Sequence, residues 1–180
     1  MAGRTMGRPA TVDVLFGGVQ KAAVISDDGL YRYSLERWWD HGDGAVLFVM
    51  LNPSTADASV DDPTIRRCIG FARTWGKQGI IVCNLYAYRA TDPRELDRVH
   101  DPIGPDNQRH LDAALGGVDL VIAAWGANPS RGRYVRRDRA VSLGLETFHE
   151  LQCLGLTKEG HPRHPLYVRA DAQPIGFRCP

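Results

Sequence analysis

No apolar run in this chain approaches the roughly 18 residues that cross a bilayer as a helix. The opening residues, Met1–Arg8, lack the apolar core of a signal peptide, so a cytoplasmic protein is the expectation. Cysteine is sparse and scattered. Cys68, Cys83, Cys153 and Cys179 form no CxxC pair and no His/Cys cluster, which argues against zinc and iron–sulfur sites. Cys68 and Cys83 fall inside apolar patterns and read as small core residues. The chain has no G-x-S-x-G elbow, no phosphate-binding G-x-x-x-x-G-K-[ST] loop and no G-x-G-x-x-G fingerprint. No repeat with a period of roughly 20–50 residues is visible. Nothing in 180 residues marks a linker, so one domain is expected, long enough to bury a sizeable core.

Charge of one sign is also missing: the net charge is +1. The local exception is Arg131, Arg133, Arg136, Arg137 and Arg139, crowded into nine residues with Asp138 as the one acidic residue among them. Such a cluster can track phosphates, and it can equally be the solvated face of a helix.

What the chain does have is Val46–Ser54, VLFVMLNPS. An apolar run of strand length stops at Asn52-Pro53-Ser54. Such a run suits a strand buried on both faces of a helix-covered parallel sheet. Pro53 has no amide hydrogen and cannot continue the ladder. Ligands in open α/β sheets bind outside the carboxyl ends of strands, which puts Asn52 at the active edge. Asn-Pro is also a common way to start a turn.

Ahead of this strand, residues 1–18 are polar and read as loose. Ala22–Ile25 and Leu30–Leu35 flank the turn dipeptide Asp28-Gly29 and predict a hairpin. In its second arm Tyr31, Tyr33 and Leu35 alternate with Arg32, Ser34 and Glu36, the pattern of a half-buried strand. Beyond Asn52, Asp62-Pro63 predicts a helix start, with Ile65, Ile69, Ala72 and Trp75 at helical spacing and Gly76 as the stop. Gly79–Leu85 is a second buried strand carrying Asn84 near its end. A helix is expected over Pro105–Leu115, a third strand over Asp119–Trp125, a third helix from Gly132 to about Leu143, and a fourth strand over Thr147–Leu154. A Pro/His-rich loop then leads into a short final element. This order predicts a three-layer α/β/α sandwich with a mainly parallel four-stranded sheet plus an N-terminal β-hairpin.

Asn52, Asn84 and the Trp125-Gly126 turn would then arrive at one sheet edge, joined by the loop Gly160–Pro165. Singly, Asn84 can be a strand cap and His161 a surface histidine. Asp57, Asp61, Asp62 and His164 are metal-compatible ligands, but their spacing matches no defined loop and Asp62 is accounted for as a helix cap. No metal and no cofactor is expected.

LNPSTADA, DDPTIRRC, NLYAYRATDP, DPIGPDN, AAWGA and the late GHPRHPLY together resemble a bacterial family known only as a domain of unknown function, DUF1643, across about Tyr31 to Tyr167. The order and spacing of these motifs are more distantly similar to the uracil-DNA glycosylase superfamily. That similarity implies that Leu51-Asn52-Pro53 matches the water-positioning motif, with Pro53 and Ser54 beside the base. It implies that Asn84, ending Ile80–Leu85, reads a flipped base, and that Ala123–Gly126 is the third strand end. It implies that His164-Pro165-Leu166 is the loop that stabilises the departing base and wedges the duplex, with His161-Pro162 as a rival register. The chain departs from that pattern in two places. No aromatic residue directly follows Pro53, and Leu166-Tyr167 replaces a serine after the H-P pair.

The reading that follows is a cofactor-free N-glycosidase acting on a deaminated or modified base in DNA. Asn52 and His164 would be catalytic, the latter donating to the leaving base, with Asp57 or Asp61 assisting because an amide is no base at neutral pH. Asn84 would offer donor and acceptor to a pyrimidine edge. Tyr86 or Trp125 would stack on the base, and Leu166 would wedge. Arg131, Arg133, Arg136, Arg137 and Arg163 would hold phosphates. Two other readings stand beside it. One is a hydrolase or transferase acting on free nucleosides or nucleotides, and the other is a module that binds a modified base without cleaving it.

Overall fold

A computed structural model describes residues 18–39, 41–54, 60–127, 137–147 and 149–179. The Asp28-Gly29 hairpin forms between β1 (Gln20–Ile25) and β2 (Arg32–Trp38), with Gly29 at φ 72° in its turn. Next come β3 (Ala45–Met50), α1 (Pro63–Thr74), β4 (Gly79–Asn84), α2 (Asn107–Leu115) and β5 (Leu120–Ala123). The chain continues through α3 (Arg137–Glu146), β6 (Leu151–Cys153) and a two-residue β7 (Ile175–Gly176).

The seven strands among the described residues share one sheet, in the order β1-β2-β4-β3-β5-β6-β7. The four inner strands β4-β3-β5-β6 run parallel, as expected, while β1, β2 and β7 are antiparallel additions. The hairpin therefore extends the sheet instead of standing beside it.

Every residue of β3 is buried, and its alternate residues feed two cores. Val46, Phe48 and Met50 pack with Ile65, Cys68, Phe71 and Ala72 of α1. Leu47 and Val49 belong with Leu111, Ala114 and Leu115 of α2 and with Val141 and Leu145 of α3. A period-2 strand between two helical layers has no polar face to spare, and this explains the uninterrupted apolar run.

Helix α1 starts where Asp62 caps it: its Oδ1 accepts from the Ile65 amide at 2.8 Å, and Pro63 takes the first helical position. Gly76, at φ 72°, follows its end. Several expected boundaries move. The fourth strand shortens to Leu151–Cys153 because α3 extends to Glu146. β2 is the larger correction. Arg32 and Ser34 are 4% and 6% exposed, because β2 lies between β1 and β4 and is covered on both faces.

Strand β3 passes through α1 to β4 on one side, while β5 pairs on its other side. The carboxyl ends of β3 and β5 thus flank a topological switch point, where open α/β sheets form a crevice. Among the described residues no helix is long and apolar enough to cross a membrane.

Candidate functional site

A cavity of about 220 Å³ occupies that crevice. Met50, Leu51, Asn52 and Ser54 line it from the end of β3, Asn84 from β4 and Trp125 from just past β5. Asp62, Thr64 and Ile65 come from the start of α1, Ala90, Thr91 and Pro93 from the loop after β4, Arg32 from β2 and His164 from the late loop. Asn52, Ser54, Asn84, Trp125 and His164, which belong to four separate stretches of sequence, therefore meet around one space.

Each is held by a local device. The Asn52 Nδ2 donates to the main-chain oxygens of Ala90 (2.8 Å) and Pro53 (3.1 Å), which fixes the amide and leaves Oδ1 as its acceptor. Pro53 is buried, outside the cavity lining, and its oxygen also accepts from the Ala90 amide at 3.0 Å. Ser54 Oγ donates to Asp62 Oδ2 at 3.3 Å, tying the β3 loop to the α1 cap. Asn84 is 2% exposed. Behind it, the wholly buried Asn107 donates from Nδ2 to the main-chain oxygens of Asn84 (3.0 Å) and Leu85 (3.1 Å). The Nδ2 of Asn84 and the Nε1–H of Trp125 are buried without a hydrogen-bond partner.

His164 precedes a short 3-10 turn, Pro165–Tyr167, and its Nδ1 accepts from the Leu166 amide at 3.4 Å. That bond places the ring proton on Nε2 in the neutral form. Arg67 of α1 grips the same loop, donating to the oxygens of Pro165 (3.4 Å) and Val168. Gly126, at φ 77°, lies against the loop from the β5 side: a Cβ there would sit 3.5 Å from the Cβ of His164.

Burial pushes the His164 imidazole below its ordinary value of 6.5, against the pull of the Asp62 carboxylate. Burial also lowers Arg32, to about 10, with Asp62 opposing and Arg89 and Arg37 adding repulsion. At neutral pH the cavity thus combines a neutral imidazole, a buried guanidinium and one capping carboxylate.

Other expected site residues lie elsewhere. Asp61 is bound to the fully buried Arg37 (2.7 Å) and to Lys21 (3.3 Å) and does not line the cavity. Tyr86 is fully buried in the core beside α2 and α3 instead of facing the cavity. Arg137 donates to the Leu85 oxygen (3.3 Å) and to Gln108 Oε1 (3.2 Å), so it braces the end of β4. Arg163 and Leu166 are exposed, and His161 is absent from the cavity lining. Asp57, Arg131, Arg133 and Arg136 lie outside the described residues. Among the described residues no group of three or more His, Cys, Asp or Glu side chains is placed to hold a metal ion.

Arg32 is the cavity residue that the sequence reading missed. The alternation of β2 assigned it to an outer face, and only the pairing of β2 with β4 reveals otherwise. Because the two strands are antiparallel, the start of β2 lies beside the end of β4, and the Arg32 amide donates to the Ala87 oxygen at 2.9 Å.

Comparison with curated proteins and with solved structures gives no match. One family model does match, over residues 32–166, a span that runs from the buried arginine of β2 to the loop carrying His164. The chain belongs to the family described as Protein of unknown function (DUF1643).

Proposed function

We propose that the protein is an N-glycosidase, related in layout to the uracil-DNA glycosylases, that hydrolyses the base–sugar bond of a deaminated or modified nucleotide. The observation that carries this reading is the convergence of Asn52, Asn84, Trp125 and His164 on one small cavity at the switch point. At about 220 Å³ the cavity is smaller than the roughly 300–1,000 Å³ clefts that take drug-sized ligands, and suits a single nucleobase.

Asn52 Oδ1 orients water toward the anomeric carbon. As the glycosidic bond breaks, its electron pair leaves with the base, and the Nε2–H of His164 donates to the charge developing there. One preorganised donor of this kind is worth about 2.7–4 kcal/mol in acyl-transfer enzymes. The water's oxygen stays on the sugar, and one of its protons ends on the released base. Asp62 is the one carboxylate lining the cavity among the described residues, and it takes the place expected of Asp57 or Asp61. In this reading Leu166 and Tyr167, 43% and 77% exposed beside His164, fill the gap that a flipped nucleotide leaves.

A second reading is a hydrolase of free nucleosides. It is favoured by the net charge of +1 and by Arg137, whose guanidinium is committed inside the fold. One experiment separates the two. The protein is incubated with oligonucleotides carrying uracil, hypoxanthine or 5-hydroxymethyluracil, and with the matching nucleosides. Abasic sites that disappear in Asn52→Ala and His164→Ala support DNA as substrate. Release from nucleosides alone supports the second reading, and release from neither refutes both.

A further inference from the structure

We infer that Arg66 and Arg163 hold phosphates of the DNA strand whose flipped base enters the cavity. The inference rests on the base-releasing reading and adds the class of substrate: a polynucleotide, not a free nucleoside.

Both arginines stand at the rim. Thr64 and Ile65 line the cavity from the first turn of α1, and Arg66 follows them, exposed. Its Nη1 donates to the main-chain oxygen of Asp61, so the guanidinium turns back toward the helix start, the end that lines the cavity. Arg163 immediately precedes His164 and is exposed too. Its amide donates to the Gly155 oxygen at 2.8 Å, and its Cδ lies 3.7 Å from where a Gly155 Cβ would stand. Gly155 follows the end of β6, so the Arg163 stem lies over the carboxyl end of that strand, on the sheet edge that holds the cavity. Arg67 ties the two walls together through its bonds to the Pro165 and Val168 oxygens. The backbone positions that carry the two cations are therefore fixed relative to each other.

Their charges are available to phosphate. Among the described residues no carboxylate pairs with either one, whereas Arg94 and Arg169 are paired with Asp92 and Asp171. Asp61, whose main-chain oxygen orients Arg66, gives its carboxylate to Arg37 and Lys21. Leu166 and Tyr167 stand exposed just beyond His164, so the rim mixes cations with apolar and aromatic surface. That mixture suits a strand, whose phosphates take the guanidinium groups and whose bases take the ring. A free nucleoside carries no phosphate and leaves both arginines unused.

The probe is a DNA oligonucleotide carrying one tetrahydrofuran residue, an abasic analogue with no base to release, so binding is read without turnover. Fluorescence anisotropy with the full chain follows it as a single strand and in duplex, over about 50 to 200 mM salt. Each phosphate contact contributes about 0.7 for a single strand, or about 0.9 for a duplex, to the slope of log affinity against log salt. Arg66→Gln and Arg163→Gln should each lower the slope by about that much, and weaken binding alike for oligonucleotides of different sequence. Both side chains are exposed, so both variants should unfold at the wild-type temperature. Arg169→Gln removes an exposed arginine already paired with Asp171 and should leave the slope where it is. No binding to either form, an unchanged slope in either rim variant, or an equal drop in Arg169→Gln would each overturn the proposal. Base release from nucleosides without oligonucleotide binding defeats this inference alone. Oligonucleotide binding with the expected slopes but no base release defeats the glycosidase alone.

Discussion

Asn107 reaches from the first turn of α2 to the end of β4, where its side chain donates to the main-chain oxygens of Asn84 at 3.0 Å and Leu85 at 3.1 Å. The residue exposes none of its surface. It thus fixes the strand end that carries Asn84 into the cavity. Asn107→Ala strands two buried carbonyls, each a loss of about 1–3 kcal/mol at most. Urea unfolding should show a lower midpoint with an unchanged slope. An unchanged midpoint would mean that water replaces the amide at no cost.

Arg67 performs a related task for the other side of the site. Its guanidinium holds the Pro165 and Val168 oxygens and lies 4.9 Å from the centre of the Phe71 ring. Arg67→Met keeps the aliphatic packing and releases the loop. Amide exchange should accelerate over 164–168 with little change in β3 or β4. Uniform acceleration across the sheet would show instead that Arg67 supports the whole fold.

How much of this was legible follows from what each residue depends on. Val46–Ser54 and Asp62-Pro63 were readable because strand burial and helix capping are written in neighbouring residues. The edge shared by Asn52, Asn84 and Trp125 followed from those strands, since parallel strands end on the same side. Arg32 was not readable: its burial depends on β2 pairing with β4, some fifty residues away, while its own alternation favours solvent. Tyr86 failed for the converse reason. An aromatic residue two positions past a strand-end Asn looked like a stacking platform, but α2 and α3 close over it. Asp61 and Asp62 are adjacent, and nothing local separates the one taken by Arg37 from the one that caps α1 beside the cavity.

Gly126, just past β5 and at φ 77°, faces the His164 loop, and a Cβ there meets only the His164 Cβ at an ordinary 3.5 Å. Gly29, at φ 72°, has nothing within 4 Å of an added Cβ. Gly126→Ala and Gly29→Ala should therefore each lose about 1–2 kcal/mol from the left-handed backbone alone. They should differ in function, because only the first adds an atom against the His164 loop. Thermal unfolding and the base-release assay on both variants check this. Equal loss of base release in the two would break the link between Gly126 and the cavity.

Asn52→Asp replaces a donor with a charge. The Asn52 nitrogen faces the oxygens of Ala90 and Pro53, so a carboxylate would set oxygen against oxygen in a partly buried loop. The expected cost is about 1–3 kcal/mol, the usual penalty for stranding buried hydrogen-bonding groups. If the variant also accelerates base release, water activation limits the wild-type rate, since a carboxylate can accept the proton that an amide cannot. Denaturant titration reads the stability effect, and the base-release assay reads the rate. A variant as stable as the wild type would show that Asn52 is not locked by Ala90.

Acid should loosen the site through His164. Burial holds its pKa below the ordinary 6.5, against the pull of Asp62, so on acidification the unfolded chain takes up a proton before the folded one does. The stability due to the neutral imidazole is fully present above the unfolded value and is lost as pH falls through the lower folded value. Unfolding free energy should therefore rise with pH up to about 6.5 and level off above it. His110 is lowered too, by burial and by the neighbouring Arg109, and contributes a slope of the same sign. The difference between wild type and His164→Gln isolates the cavity histidine, and His110→Gln serves as the parallel control. Because the neutral ring is the donor to the departing base, base release should hold steady between pH 7.5 and the ordinary imidazole value. A rate that follows a group titrating at or above 6.5 would show that His164 works as a cation, and would reverse its assigned role.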